Sequence, residues 1–340
     1  MDRPIEFMGA PGSPYSRKML GLLRYRHVAH RVHWTNGQVP DGFPKPKVTL
    51  LPTFFLPNAD GVLEAVTDST PLIRRFEAEH SGRSVIPNNP VLVFLNDLIE
   101  DYADEWLTKA MFHFRWAHAA DVANAGPLLV HWADTTLDDA QADAISSHFS
   151  NRQVDRLYVV GSNSTTAPII ESAYARFLTI LDKIIARRGF VLGARPSSAD
   201  FAIYGQLTQL GIVDPTAVKL TRDSSARVRA WIDCMDDLSG LAPRSEDWFD
   251  GEMAGEVLRP LLGEIGRTYA PVMTANAVAV MRGADTFETQ VDGEMWTQPT
   301  FRYQAKSLGW VRDAYTALEA DNREEVDTIL KGTGCEGLFL

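Results

Sequence analysis

The chain has 340 residues, 45% of them hydrophobic and 23% charged, with a formal net charge of -11, a length and balance that suit an ordinary globular protein of roughly two domains. The acidic surplus disfavours nucleic acid and anionic membrane as partners, no apolar run is long enough to span a bilayer, and residues 1–20 carry no signal-peptide pattern. The two cysteines, Cys234 and Cys335, are far apart and imply no disulfide framework, so the cytoplasm is the expected compartment.

An apolar strand, Ile5 to Met8, runs into the turn Gly9-Ala10-Pro11-Gly12. A helical pattern then opens at Ser13-Pro14-Tyr15-Ser16-Arg17-Lys18, with Tyr15, Met19, Leu22 and Leu23 at helical spacing. Pro14 suits the first helical position, where its missing N–H has no partner to lose, and Ser13 suits the cap. Because positions 13 and 16 are both serine, no dithiol exchange occurs there, and any sulfur chemistry uses a ligand's thiol. His27, His30 and His33 recur every third residue, but the strand-like run Val28 to Trp34 puts His30 and His33 on opposite faces, which defeats a shared metal ion.

The next strand pattern, Val48 to Leu56, contains Pro52, which a central strand does not accept in the ordinary way; a cis Leu51–Pro52 peptide at the strand start resolves the conflict. Thr67-Asp68-Ser69-Thr70-Pro71 then opens a helix with Leu72, Ile73 and Phe76 on one face. A turn-rich linker, Pro87-Asn88-Asn89-Pro90, precedes a helical segment from Val91 to Trp116. Its carboxylates Glu100, Asp101, Asp104 and Glu105 lack a histidine three or four residues away, so a solvated or arginine-paired face is expected and a metal is not. Residues 119–165 are polar and show little periodicity. A strong helical pattern resumes from Pro168 to Arg188, and Ser197 and Asp200 have the spacing of a capping box. Beyond residue 240, Val257 to Met281 reads as helix, Phe287 to Met295 as a hairpin about Asp292-Gly293, and Leu308, Val311, Tyr315 and Leu318 as a helical stripe. Cys335 lies in a glycine cluster expected to be flexible, as an inert surface thiol.

Ser13-Pro14-Tyr15-Ser16, Leu51-Pro52, Asp68-Ser69 and Ser197-Ser198-Ala199-Asp200-Phe201, in this order and spacing, resemble the glutathione transferase family, in its serine-type, bacterial-like form, over about residues 4–240. The resemblance implies a thioredoxin-like α/β domain (1–86), an all-helical domain (91–240) and a C-terminal extension (241–340), assembled as a cytoplasmic homodimer. It implies that Ser13 stabilises the glutathione thiolate, that Leu51 and Pro52 hold the cysteinyl unit through backbone groups, and that Asp68 and Ser69 hold the γ-glutamyl end. Asp68 stands where the family more usually has Glu. The implied reaction is conjugation of glutathione, as co-substrate and without a metal, to a small apolar electrophile, a detoxification chemistry. Isomerisation, dehalogenation or ether cleavage would use the same first site, and a non-catalytic scaffold is a third expectation. The helix after residue 90 corresponds to one that lines both dimer interface and acceptor site in the family. Phe112, Phe114 and Trp116 are therefore either acceptor contacts or core, and Trp296, Tyr303 and Trp310 of the extension are either acceptor lid or structural buttress.

Overall fold

The computed structural model describes residues 4–35 and 37–339. The elements β1 (Ile5–Gly9), α1 (Pro14–Tyr25), β2 (His30–Trp34), β3 (Thr53–Pro57), β4 (Leu63–Val66) and α2 (Ser69–Glu79) come first. They form a mixed sheet in the order β2-β1-β3-β4, with β1 and β2 parallel and the other pairs antiparallel. This is a thioredoxin-like arrangement: the parallel pair needs a crossover, which α1 supplies. Phe7 and Phe54, register partners on β1 and β3, stack with ring centroids 4.6 Å apart, and Phe76 of α2 closes on Phe54 at 5.4 Å. The Leu51–Pro52 peptide is cis and immediately precedes β3.

Helices follow: α3 (Pro90–Tyr102), α4 (Thr108–Ala117), α5 (Ala119–His131), α6 (Asp139–Val154), α7 (Ala167–Arg188), α8 (Ser198–Leu210), α9 (Pro215–Ser224) and α10 (Ala226–Met235). A π-helical turn, Ala103–Leu107, joins α3 to α4 within the segment that the sequence pattern reads as one helix. The weakly patterned stretch 119–165 folds as the α5–α6 pair, and the Asp138 side chain caps α6 by accepting from the Ala140 and Gln141 N–H groups. The Asp200 carboxylate accepts from the Ser197 N–H and hydroxyl at the start of α8 (2.9 and 2.7 Å), and from the Val191 N–H. Gly205 of α8 is needed where it stands: a Cβ there would lie 2.4 Å from the Pro14 carbonyl oxygen. The first turn of α1 thus rests backbone to backbone on α8, which fixes the Ser13 end of the sheet layer against the helical layer.

The remaining chain forms α11 (Gly251–Arg267), α12 (Tyr269–Met281), the hairpin β5 (Thr286–Val291) and β6 (Glu294–Pro299), α13 (Arg302–Thr316) and α14 (Ala320–Leu330). The hairpin turns at Asp292-Gly293, both residues at positive φ, as Asp-Gly requires of a two-residue turn. The extension docks on the outer faces of α3 and α7. Arg176 of α7 holds Glu264 of α11 with two bonds of 2.7 and 2.8 Å, and Phe94 of α3 packs against the rings of Tyr315 and Phe339.

That docking corrects several expectations. Trp296 is fully buried against Trp106 and is core, not acceptor surface. The acidic row is not a solvated face: Glu100, Asp104 and Glu105 are buried and Asp101 is half-buried, because α1 covers one side of the row and the extension the other. Cys335 is fully buried in a closing 3-10 turn, its thiol against the Leu262 carbonyl at 3.1 Å and its pKa pushed by burial up to about 12. The outward face of α3 is covered by α11, α13 and α14 of the same chain.

Candidate functional site

Ser13 precedes Pro14 in extended conformation (φ -96°, ψ 116°) and caps α1: its oxygen accepts from the Ser16 N–H at 3.2 Å. Its hydroxyl donates to the Leu51 carbonyl at 3.1 Å, so the cis-proline loop and the α1 start meet at one oxygen atom. The first turn of α1 carries no acidic residue to neutralise the helix field. An anion near Ser13 therefore meets a hydroxyl and the positive end of a helix. The neighbouring hydroxyls are committed elsewhere. Ser16 is fully buried and accepts from the Ala10 N–H at 3.2 Å, and Tyr15 donates to the Asp104 carbonyl at 2.8 Å. Burial, reinforced by Glu105 and Asp104, raises the Tyr15 pKa well above 10.

Asp68 and Ser69 stand at the start of α2. Asp68 has φ 84° and ψ 108°, a left-handed backbone that is strained for a residue with a Cβ, and such residues gather at ligand sites. The Ser69 oxygen accepts from the ammonium of Lys18 at 3.2 Å. Lys18, 1% exposed, also reaches Glu100 at 2.8 Å and Asp104 at 2.6 Å, tying α1 to α2 and α3. Burial alone would discharge Lys18, but Asp104 and Glu100 more than offset it and raise its pKa. Burial likewise pushes Glu100 up, yet Lys18 and then Arg74 outweigh this and bring it to about 2. The pair is therefore a fixed charge pair, one atom behind the Ser69 hydroxyl.

Two residues that sequence reasoning did not assign to this end come from α13. The Tyr303 phenol and the Lys306 ammonium lie near the Asp68 carboxylate and both favour its charged form. Lys306 itself lies over the rings of Trp310 (4.5 Å) and Tyr303 (5.9 Å). Burial raises the Asp68 pKa; Tyr303, Lys306 and Lys18 oppose it. The aromatic content of α13 was visible in the sequence, but its target was not, because more than 230 residues separate Asp68 from Tyr303.

On the opposite side, α5 closes over the turn before Ser13. A Cβ on Gly12 would stand 2.5 Å from Leu129 and 2.7 Å from Trp132, so Gly12 is what admits these side chains. The Gly12 carbonyl accepts from buried Arg115 at 3.0 Å, whose fork also clamps Asp214. Phe114 packs on Tyr174 and Trp116 on Phe149, both buried as core; Phe112 is only partly buried. Leu129 and Trp132 lie in the stretch without legible periodicity, and no local signal marked them.

Residues 7–84 match the family model described as glutathione S-transferase, N-terminal domain, and residues 139–234 match glutathione S-transferase, C-terminal domain. The chain belongs to the glutathione S-transferase family. Residues 85–138 and everything after 234 lie outside both matches. Similar solved structures include a glutathione transferase family member from Pseudomonas fluorescens Pf-5 with bound glutathione, at 18% identity and TM-score 0.41, covering 71% of this chain and 98% of that one. A Tau class glutathione S-transferase from mango, Mangifera indica, is 15% identical with TM-score 0.40, covering 76% and 98%. A glutathione S-transferase from Methylobacterium radiotolerans in complex with glutathione sulfonate is 16% identical with TM-score 0.37, covering 71% and 99%. No curated protein matches the chain. No helix among the described residues is long and apolar enough to cross a membrane.

Proposed function

We propose that the chain transfers glutathione to a small electrophile, with Ser13 stabilising the thiolate. The observation that carries this reading is the meeting of the Ser13 hydroxyl and the Leu51 carbonyl, 3.1 Å apart, at the start of α1. In the bound state the hydroxyl turns from Leu51 to the sulfur, and the freed Leu51 backbone takes the cysteinyl unit beside Pro52. A thiol has an ordinary pKa near 8.5, and each unit of lowering needs about 1.4 kcal/mol, which one charge-assisted hydrogen bond and a helix terminus supply together. The thiolate then attacks the electrophilic carbon, a carbon–sulfur bond forms, and the leaving group departs with the bonding pair. At the other end, the Ser69 hydroxyl and the first N–H groups of α2 receive the γ-glutamyl carboxylate, and Asp68 receives its ammonium. Tyr303 and Lys306 of α13 adjoin that end, so in this reading residues 1–86 hold the ligand, 91–240 support the acceptor side, and 241–340 complete the γ-glutamyl side in cis.

Ser13→Ala is expected to leave glutathione affinity nearly unchanged and to slow conjugation of an activated aryl chloride by about ten to a thousandfold, the usual effect of removing one oxyanion donor. Thiolate absorbance of the bound ligand at neutral pH falls with it. Unchanged rate and absorbance would reduce Ser13 to a helix cap. Glutathione binding without turnover of any electrophile would favour the scaffold reading, for which the closure of Leu129 and Trp132 over Gly12 is the supporting observation. Glutathione-dependent isomerisation, dehalogenation or ether cleavage would appear as turnover without a stable conjugate. With the outward face of α3 covered from within, we propose a single-chain assembly in place of the homodimer; light scattering at the mass of two chains would overturn it.

A further inference from the structure

We propose a binding site for a divalent metal ion of the zinc type, formed by His113, His118 and Glu171, at the junction of α4 and α7. His113 of α4, His118 at the α4–α5 junction and Glu171 of α7 converge, with one ring nitrogen of each histidine and a carboxylate oxygen all within 4.8 Å of one another. His113 Nε2 lies 3.2 Å and His118 Nε2 3.4 Å from the same Glu171 oxygen. Zinc takes nitrogen and oxygen ligands at about 2.0 to 2.2 Å, so adjacent ligands of a tetrahedral ion stand about 3.3 to 3.6 Å apart. The His118–Glu171 separation falls on that edge and the His113–Glu171 separation just short of it. The His113–Glu171 contact is also a hydrogen bond, which an ion would replace, whereas the His118–Glu171 separation of 3.4 Å is not bridged by one.

The hydrogen bonding points the same way. His118 Nε2 is buried and has no hydrogen-bond partner, although the Glu171 oxygen is 3.4 Å away, so its lone-pair direction leads elsewhere than to that oxygen. His113 Nδ1 lies 2.8 Å from the buried hydroxyl of Ser162, an outer-shell contact that orients the ring, while its Nε2 faces Glu171, the contact an ion would replace. The two rings are nearly perpendicular (80°), with centroids 5.4 Å apart, so their nitrogens approach a common point from different directions. The nearby Asp121 carboxylate is taken by the Thr216 N–H and hydroxyl and is not a fourth ligand. His118 and Glu171 are partly exposed, 32% and 42%, which gives the ion an entry path and leaves its fourth position to water. Two imidazoles and one carboxylate, without thiolate, suit zinc, and nickel or cobalt by the same chemistry. Such an ion would pin the end of α4, next to the partly buried Phe112, to α7.

The test uses the full chain after dialysis against chelator. Zinc titrated calorimetrically is expected to bind at one ion per chain with a micromolar or tighter dissociation constant. Cobalt is expected to give the intense visible bands of a tetrahedral site. Losing a ligand costs more than losing an outer-shell contact, which is worth ten to a hundredfold, so His118→Ala is expected to weaken zinc by about a hundredfold or more. Glu171→Gln provides a second variant, chosen because the partly exposed side chain is replaced by one of equal size. Zinc is expected to raise the melting temperature of the wild type and of neither variant. Binding that is unsaturated at millimolar zinc, or retained at wild-type strength in both folded variants, would overturn the site. None of these readouts depends on glutathione.

Discussion

Lys18 and Lys109 are buried to the same degree, 1% and 2% exposed, and they behave in opposite ways. Lys18, between α1 and α3 behind the ligand site, has carboxylates at 2.8 and 2.6 Å and stays charged. Lys109, between α4 and the extension's hairpin, donates to the neutral amide of Gln298 at 3.0 Å and lies 5.9 Å from the Trp296 ring. Burial lowers its pKa to about 8, with Glu105 the one opposing group, and burial followed by the Asp101 charge raises Glu105 itself to about 8. Depth does not decide the charge of a buried group; the number and distance of its opposite partners do. As a result Lys18 and Glu100 keep their charges across the neutral range, while Glu105 and Lys109, on the side that meets the extension, titrate within it.

The largest test of this contrast is Lys18→Met. It leaves Glu100 and Asp104 buried without their cation and is expected to destabilise the chain by about 3 to 5 kcal/mol, as breaking buried pairs does. Denaturant unfolding measures it, with Lys109→Met as the comparison, expected to cost clearly less because Lys109 has no close carboxylate to strand. Equal losses in the two variants would break the contrast.

A second test is pH. Glu105 binds its proton more tightly in the folded chain, at about 8 against an ordinary 4.5, so its contribution to stability is complete below about pH 4.5 and is lost as pH rises through 8. Burial places Asp101 at about 7 and Asp104 at about 6, with the same sign. Between pH 6 and 8 Glu105, and Asp101 over the lower half of the interval, each contribute up to about 1.4 kcal/mol per pH unit, and Asp104 adds slope only near its lower end. The melting temperature is therefore expected to fall over that interval, and Glu105→Gln to flatten the slope. A wild-type stability that rises from pH 6 to 8 would refute the raised values. The smallest expected effect is that of Tyr303→Phe, which removes one hydroxyl beside Asp68. It is expected to weaken glutathione by about 0.5 to 1.5 kcal/mol, read by calorimetry, with little change in the rate of thiolate attack. Wild-type affinity would remove α13 from the ligand site.

What the sequence determined by itself was what short-range physics encodes. Ser13-Pro14 caps and opens α1, a cis peptide before Pro52 accommodates the proline at a strand start, Ser197 and Asp200 open α8, and Asp292-Gly293 turns a hairpin, because each depends on φ, ψ and hydrogen bonds within a few residues. The order of these motifs also carried the family, which the N- and C-terminal matches bear out. The tertiary structure alone decided everything that needs a distant partner. The row Glu100 to Glu105 reads as a solvated face because helical period cannot show that Lys18 approaches one side and Tyr269 and Gln304 the other. Cys335 reads as exposed among glycines, yet the turn it belongs to closes on Gly266, where a Cβ would collide with the Thr333 carbonyl at 2.1 Å. His113, His118 and Glu171 share no sequence spacing that marks a metal site, since the carboxylate arrives from 58 residues beyond His113. Packing, not local preference, brings these groups within the few ångströms over which charge and coordination act.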